Sequence, residues 1–238
     1  MEINQSSIGE NTQRGLYRVA GIAALLAALL FRRNLSAEIS LISPIPIPQQ
    51  AADWFTLLHT HPLLGLAYLN VFDLVEYILV GLMFLALYEV LKPVNRTGSL
   101  IALCMGLLAV SLNFTSNQAF SMLSLSQQAI TGVQPQAAAL TMAGEALLAI
   151  ANHGTAVYAG LLFISLAGLI FSSIMLNSGH FSRLTGNLGI TANAIMLTHF
   201  VVLPLAPDWT VLPFVLSAPL RVAWYILVGL RLIKTTSR

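Results

Sequence analysis

Long apolar runs alternate with short polar segments along this chain, and six of the runs approach the length of a membrane-spanning helix. About 20 apolar residues cross the hydrocarbon core of a bilayer as a helix. The six candidate spans are Leu16–Phe31, Leu63–Leu91, Gly98–Asn113, Asn152–Leu176, Leu184–Leu205 and Val211–Ile233. The pattern predicts an all-α protein, a polytopic transmembrane helix bundle of about six spans.

Two segments lie outside this pattern. Residues 1–15 are mostly polar and predict an N-terminal tail. Residues 114–150 begin with a Ser- and Gln-rich stretch and end in the alanine-rich stretch Ala137–Ile150, which favours a helix. We expect 114–150 to be an external loop with interfacial helices. The alternative is that these helices lengthen the third and fourth spans into a cap outside the membrane. We expect residues 1–238 to form a single integral membrane domain.

Composition excludes a soluble globule, because 57% of the 238 residues are hydrophobic and only 8% are charged. The net charge of +2 is small and spread over the ends of the loops, so nucleic acid is not an expected partner. The expected partner is the lipid bilayer, with a small hydrophobic ligand or another membrane protein as further candidates. Cys104 is the only cysteine and leaves no intrachain disulfide to form.

The lysines and arginines predict the orientation of the spans, because cytoplasmic loops carry an excess of positive charge. With a cytoplasmic N-terminus, the outside segments hold only Arg32 and Arg33. The inside segments then hold Arg14, Arg18, Lys92, Arg96, Arg183, Arg231, Lys234 and Arg238. Both termini are therefore expected to be cytoplasmic, which requires an even number of spans.

Three charged residues lie inside the apolar runs: Asp73 and Glu76 in the second, Arg221 in the sixth. A charge at bilayer depth costs about 2.5 to 3.5 kcal/mol on insertion scales, so it persists where it is paired, hydrated or needed. Helical spacing puts Asp73, Glu76 and Tyr77 on one stripe. Counting from the outer ends of the runs places Asp73 and Arg221 both roughly 15 Å deep. We expect them to form a buried ionic site, either an ion pair that fixes helix register or a ligand or proton site.

Further polar residues fall toward the same half of the predicted bundle, among them Asn113, His153 and His199. Imidazoles and carboxylates that converge from several helices are what a metal or haem site requires. The sequence contains no short-spaced ligand motif such as His-Glu-x-x-His. We therefore expect no metal and no cofactor, and interpret the histidines as hydrogen-bonded groups of the core or interface.

Several blocks of the chain resemble a prokaryotic family of uncharacterised multi-pass membrane proteins, domain-of-unknown-function family 4386. The similar blocks are His61–Leu64, Asp73–Tyr77, Leu87–Arg96, His153–Tyr158, Gly160–Phe163 and Asn177–Asn187. The resemblance extends from Tyr17 to Lys234, and Ser182 stands where a proline is expected before the fifth span. It implies a multi-helix bundle in the cytoplasmic (inner) membrane of a bacterium or archaeon, and it carries no established activity.

Three hypotheses for function follow, and the catalytic residues, if there are any, are unknown. The favoured one is a non-enzymatic membrane protein that binds a small apolar ligand or lipid, or serves as an accessory subunit. The second is an intramembrane metal-dependent hydrolase that uses Asp73, Glu76, His153 and His199. The third is a proton-coupled transporter in which Asp73 or Glu76 titrates, although the sequence lacks the inverted repeat that many transporters carry.

Overall fold

The computed structural model describes residues 5–38, 47–131 and 134–235. The described part of the chain is 88% helical and contains no strand, which confirms the all-α prediction. Six of its apolar helices are long enough to cross a membrane, so this is a multi-pass membrane protein. The helices are α1 Gln5–Glu38, α2 Ala51–Thr60, α3 Pro62–Tyr68, α4 Val71–Leu91, α5 Arg96–Ser116, α6 Ala119–Thr131, α7 Gln134–His153, α8 Thr155–Met175, α9 Arg183–Leu197, α10 His199–Leu205 and α11 Leu212–Thr235.

Six helices, one from each candidate span, form a closed ring in which each packs against two neighbours. In order around the ring these are α1, α4, α5, α8, α9 and α11, and α11 returns to α1. The interior is apolar and includes the rings of Phe84, Phe171 and Trp224. Small residues allow the closest crossings, as where Gly21 of α1 meets Gly229 of α11. Such close approach is what holds helices together in lipid, where apolar burial alone does not.

The four helices α2, α3, α6 and α7 pack on one another at one end of the ring, and we call this group the cap. The cap has a hydrophobic cluster of its own, which includes Trp54, Leu58 and Met122. Glu145 of α7 accepts a hydrogen bond of 2.6 Å from the backbone nitrogen of Ala51, one of the N–H groups that the start of α2 leaves unpaired. Three helices of the cap are joined to ring helices by short connections: α3 to α4, α6 to α5, and α7 to α8.

The second predicted span, Leu63–Leu91, is wrong at its start. The structure ends α3 at Tyr68 and begins α4 at Val71, with Asn70 between them in the left-handed conformation at a φ of 57°. Asparagine is one of the few residues other than glycine that adopt this conformation readily. Asp73 therefore lies in the first turn of α4, close to the cap, and not deep within a longer helix.

The remaining predicted segments take helical form. Residues 1–4 of the predicted tail lie outside the described residues, and from Gln5 onward the chain is helical and continuous with the first span. Residues 114–150 supply the end of α5, all of α6 and most of α7. Both α6 and α7 belong to the cap, and the apolar stretches Arg96–Ala129 and Gln136–Met175 run between cap and ring. This arrangement resembles the alternative in which the third and fourth spans are lengthened; the depth of the cap in the membrane stays a prediction.

Candidate functional site

A cavity of about 520 Å³ lies where the cap meets the ring, and we call it the junction cavity. This volume falls within the range of about 300 to 1,000 Å³ that is typical of small-molecule sites. The cap contributes Trp54, Tyr68 and Leu148 to its wall. The ring contributes the charged and polar residues Asp73, Glu76, Tyr77, Asn113, Ser217 and Arg221. Five of the seven residues predicted from the sequence therefore line one cavity.

The carboxylates and the phenol come from the first two turns of α4. Asp73, Glu76 and Tyr77 are spaced by three and four residues, so they lie along one face of the helix. Glu76 is buried, with 5% of its side chain exposed, while Asp73 and Tyr77 are half-buried. Tyr77 interacts electrostatically with both carboxylates and with Arg221. The charged groups of α4 and α11 and this phenol thus share the wall of one cavity.

Arg221 is buried in the ring, with 6% of its side chain exposed. Its Nη2 donates hydrogen bonds to Ser165 Oγ of α8 at 3.4 Å and to Asn193 Oδ1 of α9 at 3.5 Å. Its guanidinium carbon lies 5.9 Å from the centroid of the Phe31 ring, within cation–π range. A Cβ at Gly168 would lie 2.6 Å from the Asn193 amide, so the glycine makes the space for this contact. The arginine ties α8, α9 and α11 together at the cavity wall.

Ser165 and Asn193 are the site residues that the sequence analysis missed. Both are buried and neutral, and neutral polar residues in an apolar helix carry no large insertion cost that would single them out. The available signal was weak: Ser165 belongs to a stripe of small residues with Gly168 and Ser172 on α8, which by itself indicates only helix packing.

Amide side chains surround the part of the cavity nearest the cap. Asn113 lines the wall, and its Nδ2 donates to Ala109 O at 2.9 Å. Asn117 Nδ2 donates to Asn70 O at 2.9 Å and so links the α3–α4 junction to the α5–α6 junction. Each amide offers both donors and acceptors, which suits an uncharged polar part of a ligand as well as a charged one.

The two histidines lie apart from this site, and neither is among the described residues that line the junction cavity. His153 is exposed, with Nδ1 3.3 Å from the Tyr158 hydroxyl. The Tyr158 ring stacks on the buried imidazole of His199, with centroids 6.0 Å apart. His199 Nδ1 lies 3.1 Å from Thr210 O. The predicted convergence of imidazoles with Asp73 and Glu76 is therefore not what the structure shows.

Metal-ligating side chains do not cluster in the part of the chain that the structure describes. Within residues 5–38, 47–131 and 134–235, no three His, Cys, Asp or Glu side chains come together closely enough to hold a metal ion. The described residues therefore supply no ligand set for the hydrolase hypothesis, since structural and catalytic zinc sites take at least three protein ligands. The expectation that the protein holds no metal stays a prediction.

The model of a family described as a domain of unknown function, DUF4386, matches residues 16–235. No curated protein and no solved structure matches the chain. The family match covers the ring from Leu16 onward, the cap, and each described residue that lines the junction cavity.

Proposed function

The chain belongs to the family described as domain of unknown function DUF4386, and because that description names no activity we propose one from the site: the junction cavity binds a small amphipathic molecule. The observation that carries the proposal is the enclosure of charged, polar and apolar walls in one cavity of about 520 Å³. The proposal is of a binding protein and includes no chemical step.

The two kinds of wall come from different helices. The polar wall is formed by α4, α5 and α11, through Asp73, Glu76, Asn113 and Arg221 among others. The apolar wall is formed mainly by α7, α8, α9 and the start of α11, through Leu148, Val157, Leu161, Met196 and Phe214. A ligand with a polar head and an apolar body satisfies both walls at once. A wholly apolar ligand would instead strip water from the charges without replacing its hydrogen bonds.

The cost of the buried charges supports a role beyond packing. Replacing a buried ionic group by apolar residues of similar volume is often neutral or stabilising, so stability alone does not require one. Glu76 and Arg221 are both almost fully buried, yet they lie beside a cavity rather than in solid core. Charged groups held at the edge of an open space inside an apolar bundle are what the recognition of a polar ligand group needs.

A substitution that fills the cavity tests the proposal. Leu74 lines the junction cavity from α4. We expect a small molecule to co-purify with the wild type, and Leu74→Trp to occupy its space and displace it. Native mass spectrometry of protein extracted in a mild detergent measures the bound mass directly. The fraction of protein carrying that mass should fall about tenfold or more, since loss of 1.4 kcal/mol of binding energy already gives a factor of ten.

The matched control is the neighbouring residue on the same helix. Val75 is 49% exposed and does not appear among the described lining residues, so Val75→Trp adds the same ring outside the cavity. It should leave the bound mass unchanged. Equal losses in the two variants would mean that the molecule sits on the outer surface of the bundle, and the proposal would be wrong.

We further propose that the cap and the junction cavity face away from the cytoplasm in an inner membrane. A reporter fused after Arg238 should be cytoplasmic. Gln128, exposed on the cap, should react as Gln128→Cys with a membrane-impermeant thiol reagent in intact cells carrying the Cys104→Ser background. Two results together would show the opposite orientation: labelling of Gln128→Cys only after the cells are permeabilised, and an external C-terminus.

A further inference from the structure

The junction cavity carries charges of both signs, and we propose that its ligand is a zwitterion whose ammonium group and anionic group are joined by a short linker. This inference rests on the proposed function, because it names the chemistry of the polar head. The ammonium group binds at Asp73 and Glu76 of α4, and the anionic group binds at Arg221 of α11. Both helices pack against α1, whose Phe31 forms the wall between them.

The arginine supplies the anionic half of the site. A guanidinium has five N–H donors in a planar fork that fits a carboxylate or phosphate. Among the described residues, both hydrogen bonds of Arg221 start from Nη2, and both are long, at 3.4 and 3.5 Å. The same side chain lines the junction cavity. Ser165 and Asn193 therefore hold Nη2 in place, and the N–H groups of Nη1 donate to the anionic group of the ligand.

The first two turns of α4 supply the cationic half. Asp73 and Glu76 lie one turn apart on the cavity wall, where two carboxylates surround a primary ammonium with acceptors. Aromatic rings complete this part of the wall, with Tyr77 from α4 and with Trp54 and Tyr68 from the cap. Faces of tryptophan and tyrosine attract cations, most strongly where water is excluded.

The presence of both signs of charge on the wall of one cavity favours a zwitterion over a simple anion or a simple cation. Two carboxylates and one guanidinium give these three groups an excess of negative charge when all are ionised, so a purely anionic molecule meets repulsion in a site of low dielectric. A purely cationic molecule meets the guanidinium.

Two kinds of molecule carry this ammonium and anionic pair. One is a membrane lipid with an ethanolamine phosphate head, and the other is a soluble zwitterion such as free phosphoethanolamine. The cavity volume of about 520 Å³ accommodates a head group with part of a chain, or a complete small molecule. The two sources make the same contacts with the three charged residues. They differ only in whether acyl chains continue toward the bilayer, so an experiment has to separate them.

Lipid retention tests the proposal on the unmodified protein. The full chain is reconstituted into vesicles of equimolar phosphatidylethanolamine and phosphatidylglycerol, extracted into mild detergent and weighed by native mass spectrometry. We expect retained phosphatidylethanolamine to exceed phosphatidylglycerol about tenfold or more, as for loss of one charge-assisted hydrogen bond. In a parallel arm, free phosphoethanolamine added to delipidated protein raises the melting temperature if the soluble molecule is the source. No preference in the first arm and no shift in the second would overturn the proposal.

Two variants test whether Glu76 causes the preference for phosphatidylethanolamine. Glu76→Gln should bring the retained lipids close to equal amounts, or abolish the shift caused by phosphoethanolamine. Glu89→Gln is the matched control, because Glu89 lies on the same helix but pairs with Lys92 at 2.6 Å, outside the described lining of the cavity. It should behave as the wild type, and an equal loss in both variants contradicts the assignment. A bound molecule that Leu74→Trp excludes but that carries no ammonium group would overturn this inference and leave the proposed function standing.

Discussion

Arg221→Ala should destabilise the folded bundle by about 3 to 5 kcal/mol, as removal of one buried charged partner does in other proteins. The side chain is 6% exposed and hydrogen-bonds to Ser165 and Asn193, so its loss leaves two buried polar groups without their donor. It also removes positive charge from the wall that carries Asp73 and Glu76. We expect a large fall in the yield of folded protein and in the detergent melting temperature of what remains.

The control for this experiment removes an arginine from the surface. Arg183 is exposed at the first residue of α9, so Arg183→Ala should melt close to the wild type. Neutralising both signs together, with Asp73→Asn, Glu76→Gln and Arg221→Met, should recover much of the stability, since the uncompensated charge is the main cost. If Arg221→Ala melts like Arg183→Ala, the arginine is not held in the ring as described, and its charged end reaches water or lipid head groups.

Gly21→Leu should also be strongly destabilising, because it forces α1 away from α11. A Cβ at Gly21 would lie 2.6 Å from Ile233 Cγ1 and 2.9 Å from Gly229 O. A Cβ at Gly229 would in turn lie 2.8 Å from Gly21 O, so backbone meets backbone at this crossing, and a backbone carbonyl does not move away as a flexible side chain does. Overpacking a core costs about 1 to 3 kcal/mol, and more where backbone has to shift. Detergent melting and the fraction of monodisperse protein measure the effect.

Gly15→Leu is the control on the same helix. A Cβ at Gly15 has nothing within 4 Å, so the larger side chain enters open space. It also replaces glycine by a better helix former, which favours α1 by up to about 1 kcal/mol. We expect a melting temperature equal to or slightly above that of the wild type. Equal losses for Gly15→Leu and Gly21→Leu would show that leucine harms this helix for a reason other than the crossing.

The six spans were predictable because hydropathy over about 20 residues directly reports the length of helix that lipid requires. The break in the helix at Asn70 was not predictable, because it depends on one left-handed residue within an otherwise apolar run. α2 was missed as well. It is only ten residues long, and its buried face, with Trp54 and Leu58, becomes recognisable only when α6 and α7 are in place to cover it.

The candidate site was predictable in part, from the cost of charge in lipid. That cost singled out Asp73, Glu76 and Arg221, and the structure places all three on the wall of one cavity. The cost of charge gave no information on the residues that surround these three. Ser165 and Asn193 contact Arg221 because of the order of the helices around the ring. His199 instead contacts Phe214, with ring centroids 4.8 Å apart. Which helices are adjacent is a property of packing that a single sequence does not state.

An experimental structure of protein purified from its own membrane in a mild detergent shows directly whether the junction cavity holds a ligand. We expect continuous non-protein density between Asp73 and Glu76 on one side and Arg221 on the other, extending toward Leu161 and Met196. The density should be lost in Leu74→Trp and kept in Val75→Trp. A cavity that contains only separate water peaks, at a resolution that defines the side chains around it, would mean that the junction cavity is not a ligand site.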